Sequence, residues 1–111
     1  MVTNLIAVGT SVRGEITVDG HLRIEGRFEG MIENHGRVSI SQTAQVYGEI
    51  HAREIIVGGL VVGTLFATHK VKLLRSGSLH GDVYAASLST EEGGTFHGRS
   101  YLIRDETGGK A

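Results

Sequence analysis

A five-residue pattern, apolar-any-Gly-any-apolar, returns at a nearly constant step along this chain, and that regularity constrains the fold more than any other feature. It reads Val12-Arg13-Gly14-Glu15-Ile16, Phe28-Glu29-Gly30-Met31-Ile32, Val46-Tyr47-Gly48-Glu49-Ile50, Val61-Val62-Gly63-Thr64-Leu65 and Leu79-His80-Gly81-Asp82-Val83, with a last copy at Phe96-His97-Gly98-Arg99-Ser100. The central glycines lie 16, 18, 15, 18 and 17 residues apart. Between them runs an apolar-any-apolar pattern: Leu22/Ile24, Val38/Ile40, Ile55/Val57, Val71/Leu73 and a weaker Leu88/Thr90. Alternation in short runs is the strand period of two, and no stretch sustains a helical period. A meander of hairpins would also alternate, but it would not bring the same motif back every seventeen residues or so. A coil of stacked strands does, because each turn sets the same side chain over the last one.

The chain is therefore predicted to be all-β, a single parallel β-helix of about six turns with short flexible tails. At about 4.8 Å per turn the rod would be roughly 29 Å long. One turn cannot stand alone, because the backbone entropy of ordering it exceeds what four or five buried aliphatic side chains contribute. Only stacking, with its ladders of hydrogen bonds, tips the balance. Composition agrees: 17 glycines serve the turns, and the absence of proline leaves every strand N–H free to pair. The 111 residues suit one domain. We place its core at 8–103, with an N-terminal tail at 1–7 and a C-terminal tail at 104–111.

Stacking the copies turns the sequence into columns. One inward column is Val12, Phe28, Val46, Val61, Leu79, Phe96, and a second is Ile16, Ile32, Ile50, Leu65, Val83, Ser100. A third, Val18, Asn34, Ala52, Ala67, Ala85, Leu102, is mostly small, as a corner requires. Asn34 breaks it and is expected to bond the backbone of a turn. An outward column reads Thr17, Glu33, His51, Phe66, Tyr84, Tyr101. Its aromatic members, Phe66, Tyr84 and Tyr101, form either a ladder that seals one wall or a contact stripe for a neighbouring filament or partner.

The two ends of such a coil are rows of unpaired N–H and C=O groups, which invite another chain unless blocked by proline, inward charge or a covering helix. No blocker stands out. The first turn presents Val8, Val12, Ile16 and Val18, and the last presents Phe96, Leu102 and Ile103. End-to-end stacking of one copy on another through these residues is the mechanism expected. Phe96 also fills the last turn, and both roles are compatible.

Other functions find little support. With 11 basic and 12 acidic residues the chain has no basic excess to hold nucleic acid. It has no cysteine, so disulfides, thiolate nucleophiles and zinc–thiolate sites are excluded. No apolar run approaches the ~20 residues that cross a bilayer, and Met1 to Val8 lacks the positive charge of a secretory signal, so the expected location is cytoplasmic. His80 and His97 occupy equivalent positions on neighbouring turns and form either a surface ladder or a metal pair. With no carboxylate beside them in that column, we assign no metal and no cofactor. No catalytic triad spacing or phosphate loop occurs, and the chain is not expected to be an enzyme. The main alternative is a left-handed β-helix of the hexapeptide acyltransferase type, which would trimerise and need a catalytic histidine. Gly14, Gly20 and Gly26 are six apart, as are Gly30 and Gly36, but that register breaks between Ile24 and Phe28 and between Ile40 and Val46. A binding module using the aromatic stripe is a third reading.

The segments Gly-His-Leu-Arg-Ile-Glu-Gly-Arg-Phe-Glu-Gly-Met-Ile (20–32) and Val-Lys-Leu-Leu-Arg-Ser-Gly-Ser-Leu-His-Gly-Asp-Val (71–83), with Glu-Gly-Gly-Thr-Phe-His-Gly (92–98), resemble the bactofilin family over roughly residues 8–103. The resemblance implies a right-handed, three-sided β-helix and a bacterial cytoskeletal protein. Such a protein polymerises without nucleotide into non-polar filaments. It implies a scaffold for cell shape or cell-wall enzymes at the inner face of the cytoplasmic membrane. It also implies a membrane contact through an apolar N-terminal tail, here Met1, Val2, Leu5 and Ile6, although Leu5 and Ile6 could instead cover the first turn. The flanks are shorter than the proline-rich or basic tails of many family members, so the core is expected to carry the contacts.

Overall fold

The computed structural model describes residues 3–103. These form ten strands: β1 (Thr3–Ile6), β2 (Ser11–Val18), β3 (His21–Ile24), β4 (Arg27–Asn34), β5 (Arg37–Ile40), β6 (Gln45–Val57), β7 (Leu60–Leu73), β8 (Ser78–Ala85), β9 (Leu88–Thr90) and β10 (Thr95–Leu102). Every pairing is parallel and joins a strand to its counterpart one coil away. The result is an all-β solenoid of about six turns.

The chain changes direction at three places in each coil, giving three walls. The first wall holds the residues just before the repeated glycine and the second those just after it. The third is β1, β3, β5, the last residues of β6 and β7, and β9. The bend between the first two walls is made by the glycine column, where Gly14, Gly30, Gly48, Gly63, Gly81 and Gly98 all adopt φ between 129° and 147°. Glycine enters that region without the penalty a side chain brings. A Cβ on Gly63 would also collide with the carbonyl oxygen of Gly48 in the coil below.

The register reproduces the predicted columns. Val12 lies over Phe28, then Val46, Val61, Leu79 and Phe96, and Ile16 begins the parallel series through Ile32, Ile50, Leu65, Val83 and Ser100. Inside the stack these side chains are sealed from solvent, as are Leu22, Ile24, Val38, Ile55, Val57, Val71 and Leu73 on the third wall. The uneven step between glycines is a matter of corners. Four-residue turns closed by Ala44 N–H to Ser41 C=O (2.9 Å) and Gly77 N–H to Leu74 C=O (2.9 Å) fall in the two 18-residue coils. The 15-residue coil passes from Ala52 to Glu54 through Arg53 alone, where the next coil spends Thr68 and His69, and it closes on the pair Gly58-Gly59.

One boundary moves. β1 lies inside the span expected to be a tail, yet it pairs with β3 in register, Asn4 on Leu22 and Ile6 on Ile24. The stack therefore begins at Thr3 and not at residue 8. Ile6 is buried at 8 % exposure, so it is a core residue and not a membrane contact. Asn4 in place of an aliphatic residue hid this rung from the pattern. Met1, Val2 and residues 104–111 lie outside the described residues.

Candidate polymerisation interfaces

A solenoid completes its hydrogen bonds everywhere except at its ends. Among the described residues β2 pairs with β4 alone and β10 with β8 alone, so each has one free edge of backbone donors and acceptors. On the inward side of the β2 edge stand Val12, Ile16 and Val18, half-buried where Phe28 and Ile32 one coil deeper are fully sealed. On the β10 edge stand half-buried Phe96, solvent-exposed Ser100, and Leu102 at 76 % exposure. These are core columns that stop without a neighbour, and another strand laid on either edge would bury them. The inward positions of both edges carry no charge and the chain has no proline, so neither common device for blunting an edge is present.

Two of the expected interface residues sit differently. Val8 is 65 % exposed in the corner between β1 and β2 rather than in a column. Ile103 follows β10, half-buried, with its N–H donating to the carbonyl of Ala85 at 2.8 Å. Leu5, 55 % exposed, points away from the core on the wall that buries Ile6.

The outward aromatic column is a continuous stack. Ring centroids are 4.8 Å apart for Phe66 and Tyr84 and 4.7 Å for Tyr84 and Tyr101, with planes within 11°. His51 extends it at 4.4 Å from Phe66 and lies 3.2 Å from Glu49. His51 belongs to this outward column by sequence, and the structure adds its ring to the three aromatic ones. The spacing is that of the strands, so the rings cover one another's faces and turn their edges to solvent. Tyr101, in the last coil, stacks on Tyr84 with one face and has no ring on the other among the described residues.

His80 and His97 stack in the same manner at 5.1 Å, and His80 Nε2 is 2.9 Å from Ser78 Oγ. Among the described residues no three His, Asp or Glu side chains converge on a point that could hold a metal ion. On the first wall Glu29 accepts a 2.6 Å hydrogen bond from Arg27 and lies 3.1 Å from Arg13. The Arg27 bond, more than the charge of Arg13, holds its carboxyl below the ordinary range. A carboxylate committed to two guanidinium groups is a poor proton acceptor for catalysis. Among the described residues no helix is long and apolar enough to cross a membrane.

Comparison with known proteins agrees with this architecture. The family described as bactofilin, polymer-forming cytoskeletal, matches residues 4–101. The bactofilin BacP of Myxococcus xanthus (strain DK1622) is 33 % identical over 94 residues, which is 83 % of this chain and 39 % of BacP. The chain thus spans well under half the length of that relative. The solid-state NMR structure of the cytoskeletal bactofilin BacA superposes with a TM-score of 0.84 at 30 % identity, covering 95 % of this chain and all of BacA's. The cryo-EM reconstruction of Thermus thermophilus bactofilin double helical filaments gives 0.82 at 24 % identity, covering 90 % of this chain and 99 % of that one, and speaks to the fold alone.

Proposed function

This chain belongs to the bactofilin family of polymer-forming cytoskeletal proteins, and from that membership we propose that it assembles without nucleotide into filaments by end-to-end stacking of solenoids. The observation that carries this reading is the pair of free edges on β2 and β10, each fronting half-buried core side chains. Joining edges completes two ladders of hydrogen bonds and removes Val12, Ile16, Val18, Phe96 and Leu102 from water, which is the same gain that stacks one coil on the next. The energy source is folding chemistry, so no hydrolysis step is required. Contacts of like end with like, β2 on β2 and β10 on β10, would make the filament non-polar.

The filament would serve as a scaffold for cell shape or for cell-wall enzymes at the inner face of the cytoplasmic membrane. Leu5, with Met1 and Val2, is the candidate lipid contact. Each would bind weakly, but a polymer presents many at once, and avidity raises binding by about 10²–10⁴.

Negative-stain electron microscopy of the purified chain, with neither nucleotide nor metal added, tests the central claim. Long thin filaments are expected, and Phe96→Arg should leave a folded, soluble subunit that does not polymerise. Discrete trimers or monomers from the unmodified chain, or unchanged filaments from the variant, would overturn it.

A further inference from the structure

The charges on the outside of the rod are sorted by wall. The second wall carries four carboxylates, Glu15, Glu33, Glu49 and Asp82, against a single guanidinium, Arg99. The third wall carries Arg23, Arg37, Lys70 and Lys72 against a single carboxylate, Glu54. The alternation of each strand turns all of these outward, because the positions between them are the buried columns. Pairing within the chain does not exhaust them. Arg37 meets Glu54 at 3.1 Å and Arg23 meets Glu25 at 2.7 Å. Among the described residues Lys70, Lys72, Glu15, Glu33 and Asp82 make no ion pair.

We propose that the basic third wall of one rod docks on the acidic second wall of another copy, so that filaments associate sideways through Lys70 and Lys72 against Glu33, Glu49 and Asp82. The two walls are flat β-surfaces of the same repeat, so the coils of one rise at the spacing of the coils of the other. The stacked edges of Phe66 and Tyr84 on the acidic wall and half-buried Ile56 on the basic wall supply apolar area between the charges. A single contact of this kind is weak at the surface. A filament repeats it in every subunit, and the sum becomes large. Because the contact is heterologous, with different patches on its two sides, it need not close at two filaments and builds bundles of variable width.

This inference rests on the end-to-end reading above and fails separately from it. Electron microscopy at about 0.02 M and about 0.5 M sodium chloride brackets the range in which screening shortens below contact distances. Unmodified protein should give bundles at the lower salt and single filaments at the higher. The double variant Lys70→Glu/Lys72→Glu should lose the bundles and keep the single filaments, and adding Glu33→Lys/Glu49→Lys should restore them. Bundles that persist in K70E/K72E, or single filaments from unmodified protein at both salts, overturn the proposal while leaving polymerisation intact. Absence of any filament overturns the end-to-end reading instead. The wall contact would then be read by light scattering of the free subunits, and a low-salt association that K70E/K72E leaves unchanged, or none at all, overturns it.

Discussion

The side-chain oxygen of Asn34 accepts a 2.6 Å hydrogen bond from the backbone N–H of Gly36, and its amide donates to the carbonyl of Arg37 at 3.3 Å. Asn34 is 4 % exposed, the one polar side chain fully enclosed among the described residues, and it stands in the column that holds Ala52, Ala67 and Ala85 in later coils. Its two bonds tie the corner between β4 and β5. Asn34→Ala should fold but lose about 1–3 kcal/mol, because it strands backbone groups that no water replaces fully. The denaturant midpoint of unpolymerised protein, compared with that of the parent in the Phe96→Arg background, measures this. An unchanged midpoint would mean the corner holds without the amide.

The glycine column makes a contrast between two chemically identical changes. Gly63→Ala sets a methyl into the Gly48 carbonyl at φ 142°, whereas Gly14→Ala at φ 129° meets nothing within 4 Å because no coil lies beyond it. The second change carries only the backbone penalty of about 1–3 kcal/mol. The first adds a collision that cannot relax without separating two coils, and loss of the folded state is expected. Circular dichroism and thermal melting of the two variants side by side decide it; equal melting temperatures would remove the close-approach argument.

Phe66 has a ring on either side and Tyr101 on one side only. Phe66→Ala should therefore destabilise the fold more than Tyr101→Ala does. A double-mutant cycle on Phe66 and Tyr84 should report a coupling of about 0.5–1.5 kcal/mol, the usual worth of an aromatic pair beyond its buried area. A coupling of zero would reduce the stack to four independent side chains.

His35 Nδ1 lies 2.7 Å from Asp19 Oδ1, and that hydrogen bond, reinforced by the aspartate charge, raises the imidazole above its ordinary pKa. The protonated form is favoured in the fold. The contribution is thus complete below the unfolded value near 6.5 and fades as pH rises through the raised folded value. NMR titration should show His35 titrating above that reference, with Asp19→Asn bringing it back. The stability difference between the two proteins should exist at pH 5 and vanish in alkali; the reverse order would contradict the assignment.

Leu5 and Ile6 are neighbours with opposite fates. Ile6→Asp buries a carboxylate in the first coil and should destabilise the subunit, since a buried unpaired charge is costly. Leu5→Asp should leave melting unaltered and lower co-sedimentation with liposomes. Binding that survives Leu5→Asp at full strength would exclude this position as a lipid contact.

Much of this architecture is legible in the sequence, because a solenoid writes its contacts into its spacing. Residues one repeat apart are neighbours, so the glycine positions alone carried the columns from Val12 to Phe96 and from Ile16 to Ser100, the outward row of rings, and the two ends where those columns stop. The same logic weakens at the ends themselves, where a rung has one neighbour and tolerates a poorer match. β1 shows this: Ile6 sits 18 residues before Ile24, yet Asn4 and the adjacent pair Leu5-Ile6 blur the alternation, and only the pairing with β3 defines the strand. Asn34 needed the corner geometry that places Gly36 N–H within reach. The separation of charge onto two walls likewise depends on where each corner falls. Corner lengths vary from coil to coil, so distance along the chain no longer measures position around the rod, and the folded path alone assigns Lys70 and Glu33 to different faces.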